Sequence, residues 1–168
     1  GFDQSQSMSL FCTDSGKGII HMALKGGQPP YTYKLMTPDE ELLETKTVPG
    51  AVDFERGQLG QRFLIKATDN CGLTWIPQEV QIQDPAAVSS SMRGREQFCE
   101  GDQAVMKARS FPNVTYEWTL PNGTKVPGQE LTFLADKNSS GVYTVEIHLT
   151  TCTVTLTGKY QVGIATLQ

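Results

Sequence analysis

Four cysteines, Cys12, Cys71, Cys99 and Cys152, are the residues of this chain most able to do chemistry. Cysteines cross-link, hold metal or act as nucleophiles, and their spacing separates these roles. No C-x-x-C pair occurs and neither His21 nor His148 lies near a cysteine, which disfavours zinc. Nucleophilic catalysis needs a base and an orienting partner beside the nucleophile. The chain has no G-x-S-x-G, and its two histidines are expected on outward strand faces in different halves. Asp39-Glu40-Glu41 follows Thr37-Pro38 and reads as a solvated turn, not as the facing carboxylates of a glycosidase. Gly16-Lys17-Gly18 lacks the rest of a phosphate-binding loop. These readings assign no catalytic residue, no metal ligand and no cofactor, and predict that the chain is not an enzyme.

The cysteines instead mark an internal duplication. Cutting near Asp84-Pro85 gives halves that each open on Phe-Cys: Phe11-Cys12-Thr13-Asp14 and Phe98-Cys99-Glu100-Gly101-Asp102. An aromatic strand follows in each, Tyr31-Thr32-Tyr33 and Tyr116-Glu117-Trp118, then a strong late strand and a second cysteine. Cysteine to cysteine runs 59 residues in one half (71 − 12) and 53 in the other (152 − 99). Among three possible connectivities, the duplication selects Cys12–Cys71 and Cys99–Cys152. Closing a loop of this length contributes about 4 kcal/mol in the chain-entropy picture, which matters to domains with thin cores. Disulfides imply an oxidising compartment.

The elements that must position these residues read as strands. Ile20, Met22 and Leu24 share one face and His21, Ala23 and Lys25 the other. Tyr31, Tyr33 and Leu35 align, as do Ala104, Met106 and Ala108, then Tyr116, Trp118 and Leu120, then Tyr143, Val145, Ile147 and Leu149. Period-two alternation predicts half-buried strands, and no helical stripe competes. Gly26-Gly27-Gln28-Pro29-Pro30, Pro49-Gly50, Asp69-Asn70, Pro121-Asn122-Gly123 and Pro127-Gly128 supply turns. Trp118 sits where an immunoglobulin-type core tryptophan would sit, and Ser140-Gly141-Val142-Tyr143 reads as a tyrosine corner. The expected fold is all-β: two tandem immunoglobulin-like antiparallel β-sandwiches of about seven strands each, residues 1–84 and 85–168. The junction Gln83-Asp84-Pro85-Ala86-Ala87-Val88 is short and stiffened by proline.

Composition narrows the class. The chain has 168 residues, 38% hydrophobic and 19% charged, with a net charge of −4. That charge argues against nucleic acid as a partner, and no apolar run is long enough for direct membrane insertion. The opening Gly1-Phe2-Asp3, without Met or signal peptide, is expected of a mature or trimmed segment of something longer.

Binding chemistry has three candidates. Trp75, after Cys71-Gly72 and before Pro77, is the best exposed aromatic platform, with Tyr31 beside it in rank; Tyr33 and Trp118 read as core. Asp69, Asn70, Asp84 and Asp102 fall near predicted domain ends, where calcium is conceivable at the domain junction, although no D-x-D-x-D-G loop is present. Asn113, Asn122 and Asn138 each open an N-x-S/T sequon, meaningful in a eukaryotic secreted chain and chance in a bacterial one.

The first half resembles the SprB-type repeat of bacterial cell-surface proteins through Cys12, Gly26-Gly27-x-Pro29-Pro30-Tyr31-Thr32-Tyr33 and Ala67-Thr68-Asp69-Asn70-Cys71-Gly72. Leu59-Gly60-Gln61-Arg62-Phe63 departs from that pattern. The second half looks like the immunoglobulin-like or PKD-like modules that accompany such repeats, through Phe98-Cys99-Glu100-Gly101-Asp102, Tyr116-x-Trp118 and Ser140-Gly141-x-Tyr143. The resemblance implies an exported, cell-surface protein of a Bacteroidetes-type bacterium, serving adhesion or acting as a spacer, and it carries over no site residues. The partner expected is a protein or glycan, met by a monomer. The alternatives are an accessory carbohydrate-binding module and a eukaryotic receptor ectodomain.

Overall fold

The computed structural model describes residues 1–166. It divides into two compact units, Gly1–Asp84 and Pro85–Gln168, and both are immunoglobulin-like β-sandwiches.

The first unit contains β1 (Met8–Cys12), β2 (Lys17–Met22), β3 (Tyr31–Met36), β4 (Leu42–Val48), β5 (Val52–Glu55), β6 (Arg62–Thr68) and β7 (Gln78–Gln81). Its sheets have the orders β1-β2-β5 and β4-β3-β6-β7, antiparallel throughout. Ile20, Met22, Val52 and Phe54 from one sheet meet Tyr33, Leu35, Phe63 and Ile65 from the other in a single core cluster. Alternation holds in β3 and β6 but not in β2. There Ile19 and His21, on the face expected to be wet, are buried along with Met8 and Leu10 opposite them. The outer face of β1 and β2 is therefore buried, while Asp53 and Glu55 of β5 on the same face stay exposed. His21 is therefore not a solvent-facing histidine, and its Nδ1 lies 2.7 Å from Asp53 Oδ1 on the neighbouring strand.

The second unit opens with α1 (Pro85–Ser91) and continues through β8 (Arg93–Cys99), β9 (Gln103–Lys107), β10 (Val114–Thr119), β11 (Lys125–Pro127), β12 (Glu130–Leu134), β13 (Gly141–Leu149) and β14 (Thr155–Ala165). Pro85 is the first residue of a helix. Proline suits that position, where its missing N–H needs no partner. Ser89 Oγ accepts from Thr157 N at 3.0 Å and fastens the helix to β14. The sheets have the orders β11-β10-β13-β14-β8 and β12-β9. All pairings are antiparallel except β8 on β14, which is parallel from Arg93↔Lys159 to Cys99↔Ala165. Trp118 and Tyr143 are buried in the core. Trp118 Nε1 donates to Gln129 O at 3.2 Å, and Tyr143 Oη donates to Ser139 O at 2.6 Å as a tyrosine corner does.

The cysteines depart from the expected pairing. Cys12 and Cys152 are disulfide-bonded, whereas Cys71 and Cys99 are free, exposed thiols. One cause defeats both expected pairs. Cys12 ends β1 beside the start of β6, as Phe11 N to Gln83 O and Ile82 N to Gln61 O, both 2.9 Å, attest. Cys71 lies beyond the far end of β6, so seven strand residues at about 3.3 Å each separate the two. Likewise Cys99 pairs with Ala165 at the end of β14, and Cys152 precedes its start at Thr155. A disulfide needs Cα atoms within about 7 Å.

Candidate functional site

The residues with most binding chemistry gather at one end of the first unit, on the β2–β3 and β6–β7 loops. Asp69 ties these loops together. Its Oδ2 accepts from Gln28 N at 2.9 Å, and its Oδ1 accepts from Cys71 N at 3.0 Å and Leu73 N at 2.8 Å. These donors, Gln28 foremost, hold its carboxyl below the ordinary 3.8. Asn70 N donates to Gln28 O at 2.9 Å and Trp75 N to Ala67 O at 3.2 Å, so both loops are fixed through their backbones.

Gly26 and Gly27 take left-handed φ of 84° and 76°, and the Pro29-Pro30 peptide is cis. Gly27 is also needed for space: a Cβ there would lie 2.6 Å from Trp75 Cη2. The indole seats against this glycine, half-buried. Tyr31 meets it edge-on at 6.3 Å between centroids and meets Tyr33 in the same way, also at 6.3 Å. A run of three rings therefore leads from the surface into the core. Tyr31 Oη donates to Gly26 O at 3.0 Å and Tyr33 Oη to Gly50 O at 2.9 Å. Burial, with the Tyr31 phenol adding to it, pushes the Tyr33 hydroxyl up to about 12.

Trp75 borders a shallow cleft of about 540 Å³ whose other walls are Gly1, Phe2, Gln4, Ile76, Pro77, Gln78 and Glu79. The Gln4 and Gln78 side chains pair amide to amide, Nε2 to Oε1, at 2.8 Å and 3.3 Å in the two directions. Arg62 Nη1 donates to Glu79 Oε1 at 2.8 Å and offsets its charge. Ile76 is 88% exposed at the rim and Leu73 53%. The structure thus brings Trp75 and Tyr31 together, although neither is a free-standing platform. Phe2, Gln4 and Gln78 complete the cleft, and no sequence signal marked them: Gln4 and Gln78 lie 74 positions apart.

The remaining sequence candidates are dispersed. Asp69 and Asn70 lie at the end of the first unit opposite Asp84, and the Asp69 oxygens already accept backbone N–H groups. Asp102 follows the end of β8 remote from α1. His148 Nδ1 lies 3.0 Å from Thr155 Oγ1 and its Nε2 lies 3.3 Å from Glu146 Oε2. This hydroxyl–imidazole–carboxylate line stands on the solvent side of its sheet, where water competes at every bond. Asn113, Asn122 and Asn138 are all exposed. Asn122 Oδ1 accepts from Thr124 N at 3.0 Å, and Asn113 has a left-handed φ of 54°.

No family model matches the chain, and no curated protein matches it. Among solved structures it is similar to the Ig-like domain of human leucine-rich repeat-containing protein 4, at 22% identity over 45% of this chain and 85% of that one, with a TM-score of 0.36. A biofilm-associated protein BSP domain matches at 16% identity over 97% of this chain and 30% of that one, TM-score 0.38. Sidekick-1 immunoglobulin domains 1–4 match at 16% identity over 88% and 44%, TM-score 0.42. The chain spans less than half the length of the last two. These overlaps are loose, and the class, an immunoglobulin-like β-protein, rests on the strand order of the chain itself.

Proposed function

We propose that this chain is a non-catalytic, extracellular adhesion module of a bacterial surface protein, acting as a monomer through the loop end of its first unit. One observation carries the reading: a loop pinned by Asp69 presents half-buried Trp75 and an Ile76 that is 88% exposed. A bulky β-branched side chain held in water on a rigid loop gains its burial when a partner covers it. The disulfide cysteines Cys12 and Cys152 support an oxidising location. Among the described residues no helix is long and apolar enough to cross a membrane. The Gly-Gly-x-Pro-Pro-Tyr segment, which carries the resemblance to bacterial surface repeats, forms one wall of this loop end and supports the bacterial assignment.

The test is adhesion of the oxidised, folded chain to immobilised cell surfaces and extracellular-matrix proteins, with Ile76→Asp alongside. Saturable binding that Ile76→Asp lowers at least tenfold is the expected result. Binding indifferent to that substitution, or none from a folded sample, would return the chain to a spacer.

A further inference from the structure

We infer that the cleft beside Trp75 is a binding subsite for a neutral saccharide. The inference rests on the loop end being a contact surface and names the chemistry of what it contacts.

Sugar rings carry an apolar C–H face and a rim of hydroxyls that both donate and accept. A site for them needs an aromatic surface flanked by groups that also do both. The cleft has this pair of properties. One edge of the indole is seated on Gly27 and braced by Tyr31, which leaves the ring fixed before any ligand arrives. Across from it stand the Gln4 and Gln78 amides. Their reciprocal pairing uses one N–H and one carbonyl lone pair on each, leaving a second N–H and a second lone pair on each for hydroxyls. The volume of about 540 Å³ falls within the usual range for small-molecule sites.

Charge makes the ligand neutral. Residues 1–84 hold eleven Asp and Glu against seven Lys and Arg, so the whole −4 of the chain resides there. An acidic saccharide would approach against this field. Of the cations beside the cleft, Arg62 is committed to Glu79 at 2.8 Å and the Gly1 ammonium donates to Lys25 O at 3.1 Å. A cationic peptide would find Glu79 already paired, and the amides offer it no counter-charge.

The experiment is a glycan array carrying neutral, sialylated and uronic acid oligosaccharides, probed with the oxidised chain and with Trp75→Ala, Trp75→Phe and the double variant Gln4→Ala, Gln78→Ala. Binding to a set of neutral glycans is expected, unchanged at 1 M salt. Trp75→Ala should weaken it at least tenfold, Trp75→Phe should restore part of it, and the double amide variant should weaken it severalfold. The amide variant guards against local misfolding in Trp75→Ala, because Gln4 is exposed. Binding confined to acidic glycans, or binding that survives both the Trp75→Ala and the amide variants, would overturn the inference. A silent array from a chain that still adheres to surfaces in an Ile76-dependent way would overturn it too. In that last case the adhesion reading stands and a protein occupies the cleft. Silence in both assays removes both readings.

Discussion

The β6–β7 loop of the first unit and the β13–β14 loop of the second occupy equivalent places in two related sandwiches, and they are put to opposite uses. The first runs Asp69 to Pro77, is pinned by a buried carboxylate, and carries Leu73, Trp75 and Ile76 into or toward solvent. The second runs Thr150-Thr151-Cys152-Thr153-Val154, is anchored by Thr150 to the Asn113 carbonyl, and holds a disulfide cysteine. Each unit also fixes one turn at an end of its sixth strand, and does so by different chemistry. The first uses an ionised side chain, Asp69, and the second a neutral phenol, Tyr143. A shared fold therefore dictates where a loop emerges, while a few residues decide whether it exposes apolar side chains or carries a cross-link.

Five measurements would break or sharpen this contrast. The largest effect is chemical: each unit is expected to contribute one free thiol, Cys71 and Cys99. A thiol reagent should therefore find two on the folded chain and four after reduction and unfolding. Finding none on the folded chain would restore the pairing within each half that the duplication suggests. Next, Trp118→Ala removes the largest buried ring of the second unit, at about 3–5 kcal/mol in chemical denaturation. Trp75 then becomes the sole tryptophan, and its emission should stay that of the parent loop.

Third, Gly27→Ala forces a side chain into left-handed φ, at about 1–2 kcal/mol, and drives Cβ to 2.6 Å from Trp75. Gly141→Ala, at φ 139° and 2.8 Å from Pro121, is the counterpart in the second unit. Both should lower stability, but only Gly27→Ala should red-shift Trp75 emission. Fourth, Tyr143→Phe forfeits the bond to Ser139 O, worth about 1 kcal/mol by denaturation. The smallest effect is the pH response. The Asp69 carboxyl is held below 3.8 in the fold, so its contribution is whole above that value and is lost as pH falls through the folded value. Trp75 emission in a Trp118→Phe background should report loosening only below about pH 4. Burial raises the Tyr143 hydroxyl above 10, so its corner should show no acid transition of its own.

What was legible in the sequence was whatever repeats locally. Alternation placed Tyr33, Leu35, Val145 and Ile147 in cores because one wet face imposes period two. The spacing of Ser140-Gly141-x-Tyr143 marked a turn whose hydrogen bond closes within four residues. The failures share the opposite property. His21 lies on a face that should be wet, and only tertiary burial explains its position. Helix α1, at seven residues, is too short to show a stripe. The cysteine pairs looked equivalent because spacing counts residues along the chain and is blind to which end of a sandwich they reach. The cleft needed Gln4 beside Gln78, a contact that no periodicity links.

The parallel pairing of β8 with β14 has a mechanical consequence. A surface module is pulled through the strands that enter and leave it. In the second unit these two strands lie side by side, locked from Arg93↔Lys159 to Cys99↔Ala165. Once the disulfide cysteines Cys12 and Cys152 are reduced, tension along the chain shears that ladder lengthwise and loads all its hydrogen bonds at once. The first and last strands of the first unit share only the Leu10↔Gln83 bridge and its immediate bonds. A reduced chain under tension should therefore yield at the first unit while the second holds its length, and oxidation should protect both by carrying the load across the disulfide.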